Sequence, residues 1–112
     1  MNVENTKVQM KKGILEYCIL SIISKGEVYA SDILNTLKEG KMIIVEGTLY
    51  PLLTRLKNSE LVSYQWKEST SGPPRKYFQL TESGKHFLKE LDQTWTDLVF
   101  AVEITTKKQK SK

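Results

Sequence analysis

Apolar positions at helical spacing open the clearest stretch of the chain. In Glu46–Glu60, Leu49, Leu52, Leu53 and Leu56 fall on one stripe of a helix. The opposite face carries Gly47, Tyr50, Pro51, Thr54, Arg55 and Asn58, with Thr48 near the boundary. Pro51 lies inside this apparent helix, where a proline removes one backbone bond and costs about 3 kcal/mol. Either the helix tolerates it, or the helix starts near Pro51. The period then changes from 3.6 to two. Val62, Tyr64 and Trp66 alternate with Ser63, Gln65 and Lys67, and Tyr77, Phe78 and Leu80 form a return strand. Between the two runs, Ser71-Gly72-Pro73-Pro74 reads as turn or loop, with Arg75 and Lys76 beside the tip.

Three more helices follow from the same reading. Val8 to Ser24 is densely apolar (Met10, Ile14, Leu15, Cys18, Ile19, Ile22, Ile23) and ends at Lys25-Gly26. Ser31 to Lys38 turns Ile33, Leu34 and Leu37 inward and stops at Gly40. These two helices and the Glu46–Glu60 helix form a three-helix core. Met42-Ile43-Ile44-Val45 is a short β-prone link. Thr81 is a suitable N-cap, with Glu82 next to favour the helix dipole, for a long helix reaching about Thr105. In that helix Leu88, Leu91, Trp95, Leu98 and Val102 are spaced 3, 4, 3 and 4 residues apart, and Phe87 and Val99 widen the stripe. This is an a/d seam, which needs a partner helix or must fold back on its own domain.

A helix followed at once by a hairpin with a basic tip is the order of a winged helix-turn-helix, a mainly α fold with a small β-hairpin. In such a protein the helix enters the major groove of DNA and the hairpin follows the phosphates. Tyr50, Thr54 and Arg55, with Thr48 at the helix start, are the groups that can reach base edges, and Arg55 suits guanine. Arg75 and Lys76 are placed for phosphate oxygens. The plainer alternatives are a solvated helix face and solvated loop charges.

The segments GTLYPLLTRLKNSELV and GPPRKYFQLTESGK resemble the PadR family of bacterial transcriptional regulators. The first is similar to the family's recognition helix, the second to its wing and the start of its C-terminal helix. The likeness runs from Lys11 to about Glu103, and the length fits the short branch with a single C-terminal helix. It implies a winged-helix domain over residues 1–81 and a dimerisation helix over 82–106. It further implies a homodimer that binds double-stranded DNA at a pseudo-palindromic operator, usually as a repressor. Many members are released from DNA by a small aromatic or drug-like effector. Leu88, Leu91, Trp95, Leu98 and Val102 then become the dimer seam, and Trp95 a platform for a planar effector in a space between the two C-terminal helices, with Tyr17 and Phe87 as either further lining or plain core. The bland reading of Trp95 is interface packing.

Composition agrees. The chain has 112 residues, enough for one domain with a modest core. Its net charge of +4 is unevenly spread. Residues 1–81 carry eleven basic against eight acidic groups, residues 82–106 two against five, and residues 107–112 add four lysines. The DNA-facing part is mildly basic and the last helix acidic, a weak footprint that a dimer would double. The basic tail, 107–112, is expected to be disordered. The single cysteine, Cys18, admits no intramolecular disulfide and suits a reducing cytoplasm. No apolar run approaches a membrane span, and Met1 to Lys12 has no signal-peptide core. An enzyme is not expected. His86 is the lone histidine, no Cys/His cluster has metal-ligand spacing, Cys18 sits in an apolar helix, and no glycine-rich phosphate loop is present, so no cofactor is implied. The competing function is a winged-helix protein-interaction module that does not bind DNA.

Overall fold

The computed structural model describes residues 1–107 and contains four helices and a three-stranded antiparallel sheet. The expectation for the basic tail therefore falls, beyond Lys107, outside the described residues. Helix α1 spans Val3–Ile23, longer than the pattern suggested. Asn2 caps it, its side-chain oxygen accepting from the backbone N–H groups of Glu4 and Asn5 at 2.8 and 3.2 Å. The added turns lack an apolar stripe, and everything through Gly13 is exposed. Only Ile19, Leu20, Ile22 and Ile23 at the far end are buried.

Helix α2 spans Ala30–Glu39, with Ala30, Ile33 and Leu37 buried. At its start the Asp32 carboxylate accepts from Tyr29 N–H at 2.8 Å. The chain turns after α2 through Lys41, a left-handed residue with φ 65°. Met42–Val45 is not a strand. Met42 and Ile44 pack on the core while Ile43 and Val45 face solvent, so the alternation is there but no neighbour supplies a ladder. Helix α3 spans Glu46–Asn58 and passes unbroken through Pro51. The proline deprives the Gly47 carbonyl of its donor, and both residues sit on the exposed side, where water can replace it. Leu49, Leu53 and Leu56 are buried, as their spacing required.

The wing consists of β2 (Val62–Ser69) and β3 (Gly72–Leu80). Its turn is only Thr70–Ser71. The expectation that Gly72-Pro73-Pro74 is turn or loop is corrected: these residues begin β3. Prolines are tolerated there because that end of β3 has a neighbour on one side only. The register shifts between Lys67 and Ser69, the irregularity that accommodates them. A further strand, β1 (Val28–Tyr29), pairs with the other edge of β3 and was not foreseen. Two residues carry no period, and this strand exists only through its pairing of Val28 with Phe78 and Tyr29 with Tyr77.

Helix α4 spans Glu82–Thr106. The Thr81 hydroxyl accepts from Gly84 N–H at 2.9 Å and donates to the Glu60 carbonyl at 2.6 Å, while Thr81 N–H donates to Leu61 O at 3.1 Å. The helix start is thereby bolted to the connection between α3 and β2. Its first two turns belong to the core: Gly84 and Leu88 are buried, and Leu91 packs against the buried cluster. Beyond that, α4 leaves the body. The chain measures 63 × 30 × 25 Å with a radius of gyration of 16.9 Å, against about 13 Å for a compact domain of this length.

Candidate nucleic-acid interface

All the residues expected to reach DNA from α3, namely Thr48, Tyr50, Thr54 and Arg55, are exposed. The structure does not place them together. Tyr50 and Thr54 line a groove of about 170 Å³ between α3 and the wing, with Lys57, Asn58, Tyr64 and Lys76 around it and Leu53 and Phe78 beneath. Arg55 lies on the other flank of α3. Its Nε is 3.4 Å from Oε2 of Glu16 in α1, an ion pair too poorly directed for a hydrogen bond. That carboxylate oxygen is out of reach of solvent and has no hydrogen-bond partner among the described residues. Thr48 lies in the first turn of α3, its N–H held by the Val45 carbonyl at 3.0 Å.

Strand alternation separates Arg75 from Lys76, the two basic residues expected at the phosphates. Arg75 stacks on the Tyr29 ring, its guanidinium carbon 3.7 Å from the centroid, and donates from Nη2 to the Ser31 hydroxyl at 2.8 Å. It ties the wing to the start of α2. On the same face Lys67 is 4.6 Å from the Tyr77 centroid and hydrogen-bonded to Glu27 at 3.4 Å, which raises its pKa above the usual lysine value. Lys76 points to the other face, with its ammonium 4.2 Å from the Tyr64 centroid and 5.4 Å from that of Trp66. Among the described residues neither Lys57 nor Lys76 has an acidic partner. Lys57 was missed in the sequence because it falls just off the face opposite the leucine stripe; only the nearby wing gives that flank a second wall.

The seam on α4 divides in two. Leu88, expected at a dimer contact, is 8 % exposed and belongs to the chain's own core, because the first turns of α4 pack down onto α1 and β3. Leu91 packs against the same core. Trp95, Leu98 and Val102 are 40, 50 and 54 % exposed. Phe100 and Ile104, off the stripe, are exposed as well and were not singled out from the pattern.

Trp95 lines a largely apolar groove of about 410 Å³ between α1 and α4, together with Met10, Ile14, Tyr17, Leu91 and Leu98. Tyr17 borders it too, its ring centroid 6.3 Å from that of Trp95. The Tyr17 hydroxyl donates to Asp92 at 2.6 Å. This bond, with burial and the carboxylate charge adding to it, pushes the phenol up to about 12. Phe87 does not join that groove. It lines a neighbouring one of about 210 Å³ with Glu16, Arg55 and Leu56. Burial pushes the Cys18 thiol up, and its Sγ is 3.9 Å from Met42 Sδ, the surroundings of an unreactive cysteine. Among the described residues no three His, Cys, Asp or Glu side chains group as metal ligands, and no helix is long and apolar enough to cross a membrane.

Three packed helices, a β-hairpin wing beside the third, and a long trailing helix define a winged helix-turn-helix protein. The chain belongs to the PadR-like family of transcriptional regulators, whose family model matches residues 19–90. It is 57 % identical to a PadR-like transcription factor from Bacteroides fragilis, with 90 % of this chain and 98 % of that one covered and a TM-score of 0.76. A PadR-like regulator from Bacillus cereus is 38 % identical over 90 % of this chain and 99 % of its own, with a TM-score of 0.80. PadR of Bacillus subtilis, solved in complex with operator DNA, is 28 % identical with a TM-score of 0.64, over 70 % of this chain and 46 % of that longer one.

Proposed function

We propose that this chain is a sequence-specific DNA-binding transcriptional regulator, working in the cytoplasm as a homodimeric repressor. The observation that carries the reading is the groove where Tyr50 and Thr54 of α3 face Lys76 of the wing, with Lys57 on the rim and, among the described residues, no carboxylate partner for either lysine. Such a groove offers base-edge contacts on one wall and phosphate contacts on the other. The operator complex of the Bacillus subtilis relative supports DNA as the partner. Thr48, Arg55 and Arg75 complete the contact set, Arg55 after turning from Glu16.

The bare half of α4 supports dimerisation. Among the described residues Leu98 and Val102 are left half exposed and Trp95 is only partly covered, and a second copy of the same helix would bury them about a twofold axis. Two recognition helices related in this way address a pseudo-palindromic operator with half-sites about one helical turn apart. The groove at Trp95 supports a planar aromatic effector. It releases DNA by favouring a spacing of the recognition helices that does not fit the operator.

The test is a mobility shift on promoter DNA from this gene and its neighbours, set against a random duplex over a series of salt concentrations. Specific, salt-dependent retention is expected, with log affinity falling by about 0.9 per log unit of salt for each phosphate contact. The mild charge of residues 1–81 favours the competing reading, a protein-interaction module. Absence of any shift at low salt would establish that reading instead.

A further inference from the structure

Trp66 is the large aromatic side chain of the wing that stands mostly in solvent. It is 64 % exposed, on β2 directly opposite Lys76 in the register. Strand alternation puts it on the face of the wing that carries Tyr64 and Phe78, the face turned to α3. The cations of the opposite face are held, Lys67 by Glu27 and Arg75 by Tyr29 and Ser31. Those of the Trp66 face are not paired with acids among the described residues. The indole also borders a cleft of about 310 Å³ with Tyr50, Pro74, Arg75 and, at the start of α3, Glu46, so it continues the α3 groove outward along the wing.

We propose that Trp66 is itself a DNA contact, its indole lying against deoxyribose and base edges where the wing meets the duplex, while Lys76 beside it takes the adjacent phosphate. This rests on the reading of the chain as a DNA-binding protein. The chemistry selects a polyanion with apolar sugar faces. The surface joins one flat apolar group to the Lys76 ammonium 5.4 Å away, with a second lysine, Lys57, across the groove. A protein partner would ask instead for a contiguous apolar patch, and the chain's exposed patch of that kind lies on α4, around Leu98 and Val102. The indole adds affinity without neutralising a phosphate, so its signature differs from that of a lysine.

Trp95→Phe leaves Trp66 as the sole indole, since the chain has two tryptophans. Acrylamide quenching of that variant is measured with and without a saturating mixed-sequence DNA duplex at low ionic strength, binding being followed separately by the anisotropy of a dye on the DNA. The quenching constant should fall on saturation, because the duplex would cover the indole's exposed face. Trp66→Ala, which removes an exposed side chain and should leave the circular dichroism unchanged, should weaken binding roughly tenfold with an unaltered salt slope. Lys76→Ala should lower the slope by about one, and Trp66→Tyr should restore most of the affinity. Unchanged quenching at saturation overturns the assignment. So does shielding without DNA that grows with protein concentration, which would give the indole to a protein contact. If the wild-type protein fails to bind the labelled duplex at all, the DNA-binding reading has failed, and this inference goes with it.

Discussion

Replacing Gly84 by alanine should destabilise the protein, against what helix propensity predicts. In the first turn of α4 the change adds at most about 1 kcal/mol of helix stability. Gly84 has no room for a methyl group, however. A Cβ there would run into the backbone of Leu61, lying 3.0 Å from its carbonyl carbon and nearer still to its oxygen. Neither partner can yield, because Leu61 O accepts from Thr81 N–H and Leu61 N–H donates to Leu56 O. Overpacking costs typically 1–3 kcal/mol, and an unyielding backbone puts this case at the upper end. If α4 lifts instead, it takes Leu88 out of the core, a loss of about 2 kcal/mol. The first route leaves a net loss of about 2 kcal/mol and the second about 1 kcal/mol, or roughly 4–8 °C in Tm for a chain of this size. Urea and thermal denaturation at one fixed protein concentration would measure it. Gly13→Ala is the control. It lies mid-α1, where an added Cβ meets nothing within 4 Å, so it should gain up to about 1 kcal/mol. If Gly84→Ala is as stable as the parent, or moves in the same direction as the control, the seating of α4 on Leu61 is wrong.

Arg55→Ala should cost about 1–3 kcal/mol on the operator and relax specificity at one base position; an equal loss on random DNA in the same titration would make it a phosphate contact. Leu98→Asp with Val102→Asp should leave a folded monomer by light scattering, since both side chains are already exposed within the chain; a surviving dimer would place the twofold contact elsewhere. Tyr17→Phe should lower stability near neutral pH. The parent's phenol stays protonated up to about 12 in the folded chain, against 10.0 for the free group. Its contribution is therefore whole below pH 10 and lost as pH rises from 10 through about 12, so the difference between variant and parent should shrink across that interval in denaturation curves. In Trp66→Phe, planar aromatic compounds should quench Trp95 fluorescence, and Trp95→Ala should lose the binding while remaining dimeric; no quenching by any such compound would leave Trp95 as interface packing.

Much of the fold was legible because local patterns and tertiary contacts agreed. The leucine spacing of α3 survives a proline because the stripe Leu49, Leu53 and Leu56 is buried whichever way the helix begins. Thr81 capped α4 as its hydroxyl and position predicted. The same logic misled where a pattern depends on a neighbour. Met42–Val45 alternates like a strand and is not one, for want of an adjacent chain. Gly72-Pro73-Pro74 reads as a turn and is strand, because β2 pairs with it at Gly72 and Arg75 on either side of the prolines and β1 is not there to demand an N–H.

Periodicity and turn chemistry alone determined that this chain forms a winged helix-turn-helix followed by a long apolar-striped helix. Those signals act over a few residues and need no partner. Which side chains share a surface was left to the tertiary structure. Arg75 and Lys76 are adjacent in sequence, yet alternation on β3 sends one to Tyr29 and Ser31 and the other to the α3 groove. Tyr50 and Arg55 belong to one helix face, yet the wing claims one flank and Glu16 the other. Leu88 and Leu98 continue a single stripe, yet the point at which α4 leaves the body puts the first in the core and the second in solvent. A sequence pattern specifies the direction of a side chain relative to its own element. What that side chain meets depends on where the other elements come to rest.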